Sequence, residues 1–349
     1  MKVPIENLYY LFCYAWRFIP DDLALDVGAV PGADVLNLCA HVLTTGTDRL
    51  LRRGLDQGYR GLTEEVSRVR GRIDINATVR GLTWLNARVV CQFDNLHPDI
   101  LHNQILRSTI HLLRFAPIES ELRKRVRETD SRLSGINTIQ LTDSLFRRVQ
   151  IHRNNGFYGF LMRVCELVHF SLLPDPSGVG PSWFHNVLSD ENYMAAVFEE
   201  FIRNFYSLKQ NQFTVGRTQP RWNAIAQKAD DLRFLPTMTT DVTLCSSSRT
   251  VIIDAKYYRD ALQSNYASRT VHSANLYQLM AYLRGTDSKP QSHRAIEGIL
   301  VYPVGMQAAE LSYTIDGYPI RIYTLNLGQH WRDIEQDLLK LVENETVTQ

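Results

Sequence analysis

The chain has 349 residues, 44% of them hydrophobic, enough for two domains that each bury an apolar core. Its 38 lysines and arginines nearly cancel 37 aspartates and glutamates, which excludes a global basic field as the means of holding nucleic acid and leaves only local patches for that purpose. Five cysteines, Cys13, Cys39, Cys91, Cys165 and Cys245, are scattered without a CxxC or a Cys/His cluster at zinc spacing, as expected of a chain in a reducing cytoplasm.

Near the N-terminus the apolar run Leu8 to Ile19 is crowded with Tyr and Trp and lacks a small-x-small cleavage site, so it reads as a core helix rather than a leader. Its aromatic residues, Tyr9, Tyr10, Phe12, Tyr14 and Trp16, suit burial or a subunit interface better than base stacking. Apolar residues then recur at three- and four-residue steps in LNLCAHVLTTGTDRLLRRGL, LHNQILRSTIHLLRFA and YGFLMRVCELVHFSLL, predicting a mainly helical N-terminal domain over 1–173. The last of these is interrupted by Arg163, Glu166 and His169, which argues against a membrane span.

Between LNLCAHVLTTGTDRLLRRGL and LHNQILRSTIHLLRFA lies Glu64 to Gly81, where Arg68, Arg70, Arg72 and Arg80 interleave with Val66, Val69, Ile73, Ile75 and Val79. Near-alternation predicts strands or a hairpin, with two readings: a solvated edge, or a basic finger for another molecule. Three prolines and two glycines in PDPSGVGPS, Pro174 to Ser182, predict a linker. Beyond it, over 183–349, come a helix ENYMAAVFEEFIRNFYSL, strands at Thr240 to Leu244 and Val251 to Tyr257, and a helix from about Ser273 to Leu283. Strands GILVYP and IRIYTLNL and a closing helix WRDIEQDLLKLVE complete a mixed sheet flanked by helices, an α/β core.

The chemistry concentrates on these strands. Residues two apart on a strand share a face, so Asp254 and Lys256 point together, and Asp241 reaches them if CSSSRT forms the turn between neighbouring strands. Two converging carboxylates suit Mg²⁺, which takes hard oxygen ligands and keeps several waters beside a phosphate. Lys256 then steadies the attacking water or the developing negative charge. Gln278 and Tyr282, four apart on the next helix, share one face. Glu199 and Glu200 on the preceding helix each either supply a third acidic ligand or are solvated. Ten histidines show no metal-ligand grouping, and no GxxxxGK[ST] loop is present to hold a nucleoside triphosphate.

An acidic helix, an Asp at one strand, D-A-K on the next and Q-x-x-x-Y on the following helix: this succession resembles the PD-(D/E)xK nucleases of the RecB-like Q-x-x-x-Y subtype, with TTD where many members have Pro-Asp. Together with IENLYYLFCYAW, GRIDINATVRG, VIIDAKYY, NLYQLMAYL and LVYP, the chain resembles the McrC family, nuclease subunits of McrBC modified-cytosine restriction systems. The resemblance implies catalytic positions at Asp241, Asp254 and Lys256, supported by Gln278 and Tyr282. It also implies Mg²⁺, double-stranded DNA containing modified cytosine, and a hexameric McrB-like AAA+ GTPase ring that binds the GTP. On this reading 1–173 docks to the ring, and one or more of Arg68, Arg70, Arg72 and Arg80 stimulates its GTPase. The alternatives are a non-catalytic adaptor that keeps the nuclease fold and a free-standing RecB-type repair nuclease.

Overall fold

The computed structural model describes residues 3–18, 34–152, 155–172, 190–257, 263–265, 268–287, 294–304 and 310–343. The chain divides into two units, Val35–Gly178 and a second in which Met1–Asp34 joins Val179–Gln349. The boundary expected between 1–173 and 183–349 is corrected at its N-terminal end, because the first helix belongs with the C-terminal sheet. The expected linker, 174–182, lies outside the described residues.

Helix α1 (Ile5–Ala15) buries Asn7, Leu8, Tyr9 and Leu11 through Ala15, too much of its circumference for a surface helix. Its partners are α8 (Glu191–Lys209) and α10 (Trp331–Val342), which complete the same unit. Tyr10 stacks on Trp331 with ring centroids 4.9 Å apart, and Tyr14 packs against Phe201, Phe205 and Trp331. The polar tie is Asn7, whose Nδ2 donates to the carbonyls of Leu327 at 2.7 Å and Gln329 at 2.8 Å.

In the Val35–Gly178 unit, α2 (Val35–Arg53), α4 (Leu101–Leu113), α5 (Ser120–Arg132) and α7 (Gly156–Leu172) pack through Leu36, Leu43, Ile105, Ile110, Val126 and Leu161. The short α6 (Asp143–Arg148) packs on α7. A three-stranded sheet projects the arginine-bearing segment, with β1 (Gly58–Val66) and β3 (Val89–His97) paired antiparallel from Gly58↔His97 to Val66↔Val89. Of the strands or hairpin expected over Glu64 to Gly81, strands form up to Val66 and at Arg72–Ile73, but the two do not pair with each other as a hairpin. β2 (Arg72–Ile73) pairs with β3 on the side away from β1, in the order β1-β3-β2. The chain then enters α3 (Ile75–Arg80), because Asp74 Oδ1 accepts the Ala77 N–H at 2.9 Å as an N-cap. Gly71 permits the passage beside β3, since it has a φ of 69° and a Cβ there would lie 2.3 Å from the Gln92 carbonyl.

The other unit holds a six-stranded mixed sheet in the order β10-β11-β9-β6-β5-β4. Its members are β4 (Thr214–Gly216), β5 (Val242–Cys245), β6 (Arg249–Ala255), β9 (Ala295–Val304), β10 (Glu310–Ile315) and β11 (Tyr318–Asn326). A separate pair, β7 (Gln263–Asn265) with β8 (Ser268–Thr270), follows β6. Then α9 (Ser273–Asp287) makes the crossover that lets β9 run parallel to β6. Near-continuous burial of β6 reflects cover on both faces. Leu279, Leu283 and Tyr282 of α9 pack with Ile252, Leu300 and Tyr302, and Gly298 leaves the space that Leu279 fills. The opposite face meets α8, whose Phe198 ring lies 6.1 Å from that of Tyr257. No described helix is long and apolar enough to cross a membrane.

Because Asn7 is buried and satisfies two carbonyls at once, Asn7→Ala is expected to destabilise the sheet-bearing unit by about 2 kcal/mol, read as a lowered thermal midpoint.

Candidate active site

Register brings the carboxylates together. β5 and β6 pair antiparallel with Val242 opposite Ile253, so one step outward sets Asp241 opposite Asp254. Asp241 Oδ2 accepts the Ala255 N–H at 3.0 Å, and the Lys256 N–H is donated to the Val301 carbonyl at 2.9 Å, pinning both ends of the D-A-K segment. Asp254 is completely buried, with Lys256 Nζ 3.0 Å from its Oδ2 but no aligned hydrogen bond at either carboxylate oxygen. Burial, followed by the neighbouring Asp241, pushes the Asp254 carboxyl up to about 7 although Lys256 pulls it back. At Lys256 burial works against the ammonium, but Asp254 and Asp241 outweigh it and hold the group charged.

The stretch before Asp241 is fixed by hydroxyls. Thr240 N donates to the Thr218 carbonyl at 3.0 Å and Thr218 N to Thr240 Oγ1 at 2.9 Å, while Thr243 Oγ1 lies 2.9 Å from Thr218 Oγ1 and 2.8 Å from that of Thr240. This buried cluster does by hydrogen bonding what a proline before Asp241 does by ring closure.

The crossover and the preceding helix supply the rest. Gln278 Nε2 donates to Tyr282 Oη at 2.7 Å, and burial first, then Asp254 and Asp241, raise the Tyr282 phenol despite that bond. The two helix acids differ. Glu199 is pushed up to about 6 by burial and by Asp241, against Arg217, Lys256 and Arg203, which places it in the field of the cluster. Glu200 pairs with Arg203 and accepts from Asn204 Nδ2, a contact along its own helix. The pairing that separates them was not legible in FEE.

Among the described residues no three His, Cys, Asp or Glu side chains are grouped so as to hold a metal ion. A cation that keeps its waters does not need three, and the buried Asp254 carboxylate facing Asp241 is a two-acid donor set of the kind Mg²⁺ takes. The four arginines of the basic segment lie in the Val35–Gly178 unit. All are exposed, Arg70 stands over the Phe93 ring at 4.5 Å, and none makes an ion pair among the described residues.

Known proteins resemble this chain in sequence and in fold. The family model for the McrBC 5-methylcytosine restriction system component matches residues 6–303. A relative from Escherichia coli (strain K12), the type IV methyl-directed restriction enzyme EcoKMcrBC, is 32% identical over 342 residues, covering 98% of this chain and 97% of the relative. A solved chain from a refined half-complex of the tetradecameric assembly of Thermococcus gammatolerans McrB AAA+ hexamers with bound McrC superposes with a TM-score of 0.60. It is 16% identical, and the match covers 97% of this chain and 76% of that one.

A carboxyl raised by burial favours the folded state at low pH and loses that advantage as pH rises through about 7. Asp254→Asn, in the absence of divalent cations, is therefore expected to stabilise the protein by about 2 kcal/mol at pH 8, with the gain shrinking towards pH 4. Thermal unfolding in chelator across that range measures it.

Proposed function

Since this chain belongs to the McrBC 5-methylcytosine restriction system component family, we propose that it is the nuclease subunit of such a system, cutting DNA as the cytoplasmic partner of a GTP-driven AAA+ ring. The observation that carries the nuclease half is the convergence of Asp241, buried Asp254 and Lys256 at the open ends of β5 and β6. This is the arrangement of a PD-(D/E)xK core.

Bound Mg²⁺ supplies a water of lowered pKa and neutralises charge on the phosphate. Asp241 and Asp254 would hold it, and Glu199 rather than Glu200 is the helix acid that feels Asp241. Lys256, kept protonated by both carboxylates, orients the attacking water and meets the negative charge that builds on the phosphoryl oxygens. Gln278 and Tyr282, locked to each other, fix the wall of the site opposite the strands.

The ring-docking half rests on the Val35–Gly178 unit. Beside Arg68, Arg70, Arg72 and Arg80 it exposes Val69, Ile75, Val79, Leu82, Trp84 and Leu85, each more than half accessible, and exposed apolar surface rimmed by charge marks a protein interface. An arginine delivered from this segment to the partner's nucleotide stabilises the phosphoryl-transfer transition state. The McrB hexamers that accompany McrC in the Thermococcus gammatolerans assembly are the model for that partner.

One assay tests both halves: the chain with its AAA+ partner, GTP, Mg²⁺ and DNA containing modified cytosine. Asp254→Ala is expected to abolish cutting and leave GTPase stimulation intact. Cutting by Asp254→Ala overturns the site, and stimulation by a wild type that never cuts establishes the adaptor reading. In the same assay, replacing Arg70, Arg72 and Arg80 together by Ala is expected to lower stimulation by about tenfold or more while magnesium binding at the nuclease site persists. Undiminished stimulation removes the arginine segment from the mechanism.

A further inference from the structure

A second cation stands beside the carboxylates, and the nuclease reading gives it no role. Arg217 directly follows β4 and is anchored on both sides, because Gly216 pairs with Thr243 in the sheet and Thr218 is bonded to Thr240 through backbone N–H groups in both directions. Thr218 turns its hydroxyl into the threonine cluster. Arg217 instead reaches Glu199 Oε2 at 3.3 Å and Glu200 Oε1 at 3.9 Å, with 44% of its side chain exposed. The residue therefore has a fixed root, one step along the chain from Gly216 opposite Thr243, and a half-exposed guanidinium that hydrogen-bonds Glu199 at the rim of the acidic cluster.

Two physical points decide what that guanidinium is for. An ion pair so long and so exposed holds an arginine weakly, so structural need does not account for it. The Asp241–Asp254 pair also sets two carboxylates against the ammonium of Lys256, and Glu199 stands in the field of that group. Once a divalent cation satisfies those oxygens, the pull of Glu199 on Arg217 falls and the guanidinium is released towards solvent, where the substrate enters. A planar guanidinium with several donors is the side chain best matched to a phosphodiester.

We propose that Arg217 binds a phosphate of the DNA strand being cut and holds it against the Asp241–Asp254–Lys256 cluster. Glu199 is its resting partner before the cation and the substrate arrive. The proposal rests on the nuclease reading above, and its failure is distinguishable from the failure of that reading.

Arg217→Ala and Arg217→Lys are assembled with the AAA+ partner, GTP, Mg²⁺ and modified duplex DNA. Arg217→Ala is expected to lower cutting by about a hundredfold at saturating Mg²⁺, with thermal midpoint and GTPase stimulation unchanged, and Arg217→Lys to recover part of the loss. Binding of a short duplex to the full chain in Ca²⁺ gives a readout independent of cutting. There the slope of log affinity against log salt concentration is expected to be shallower by about 1 for Arg217→Ala. Wild-type cutting by Arg217→Ala overturns the proposal. So does a defect that added Mg²⁺ erases while the salt slope stays unchanged, because Arg217 then acts only by positioning Glu199. A wild type that does not cut, or an Asp254→Ala chain that does, strikes the nuclease reading itself.

Discussion

The sheet of the C-terminal unit is organised around a carboxylate placed where water does not reach it. Asp254 is completely buried, faces another acid in Asp241, and has one ammonium, Lys256, beside it. An ionised group taken from water loses several kcal/mol that an imperfect pair does not return. Elsewhere in the same sheet the balance runs the other way. Glu297 sits between Arg249 and Arg321, and those arginines donate onward to the Val342 and Leu341 carbonyls at the end of α10. That arrangement closes a helix end and carries surplus positive charge. The Asp254 arrangement has two carboxylates against one ammonium, and the strain of that imbalance shows in the Asp254 carboxyl, which is pushed up to about 7.

Register is what makes the imbalance possible. A one-residue slip of β6 against β5 would turn Asp254 to the other face of the sheet and bring Ile253 in its place. The slip is prevented by apolar packing on both faces of β6 and by polar ties at its end, from Asp241 to the Ala255 N–H and from the Lys256 N–H to Val301. The threonine cluster adds the remaining constraint. It fixes the backbone leading into Asp241 through hydrogen bonds, whose energy depends on dryness, and Thr240 and Thr243 are accordingly almost wholly buried.

Much of this was legible in the sequence because it is local. VIIDAKYY is a strand by its β-branched run, the i, i+2 spacing of Asp254 and Lys256 follows from the pleat, and the i, i+4 spacing of Gln278 and Tyr282 from the helix. What escaped is what depends on partners distant in the chain. The basic segment has the alternation of a hairpin, but its strand partner is β3, beyond a capped helix that Asp74 starts, and near-alternation does not reveal that cap. The short edge strands β4 and β10 were missed because half-exposed residues carry little periodicity. Glu199 and Glu200 are equivalent in sequence. Only the fold shows which of them feels Asp241.

The N-terminal helix makes the same point at a larger scale. An aromatic run reads as a core helix, and the residues α1 meets, Phe201, Phe205 and Trp331, show which core it joins. The sheet-bearing unit is thus closed by residues from both ends of the chain. A balanced net charge conceals a comparable division. One unit gathers carboxylates inward around Asp254, while the other displays arginines among exposed apolar side chains. Summed over the chain the two nearly cancel, so a balanced total hides two local fields of opposite sign.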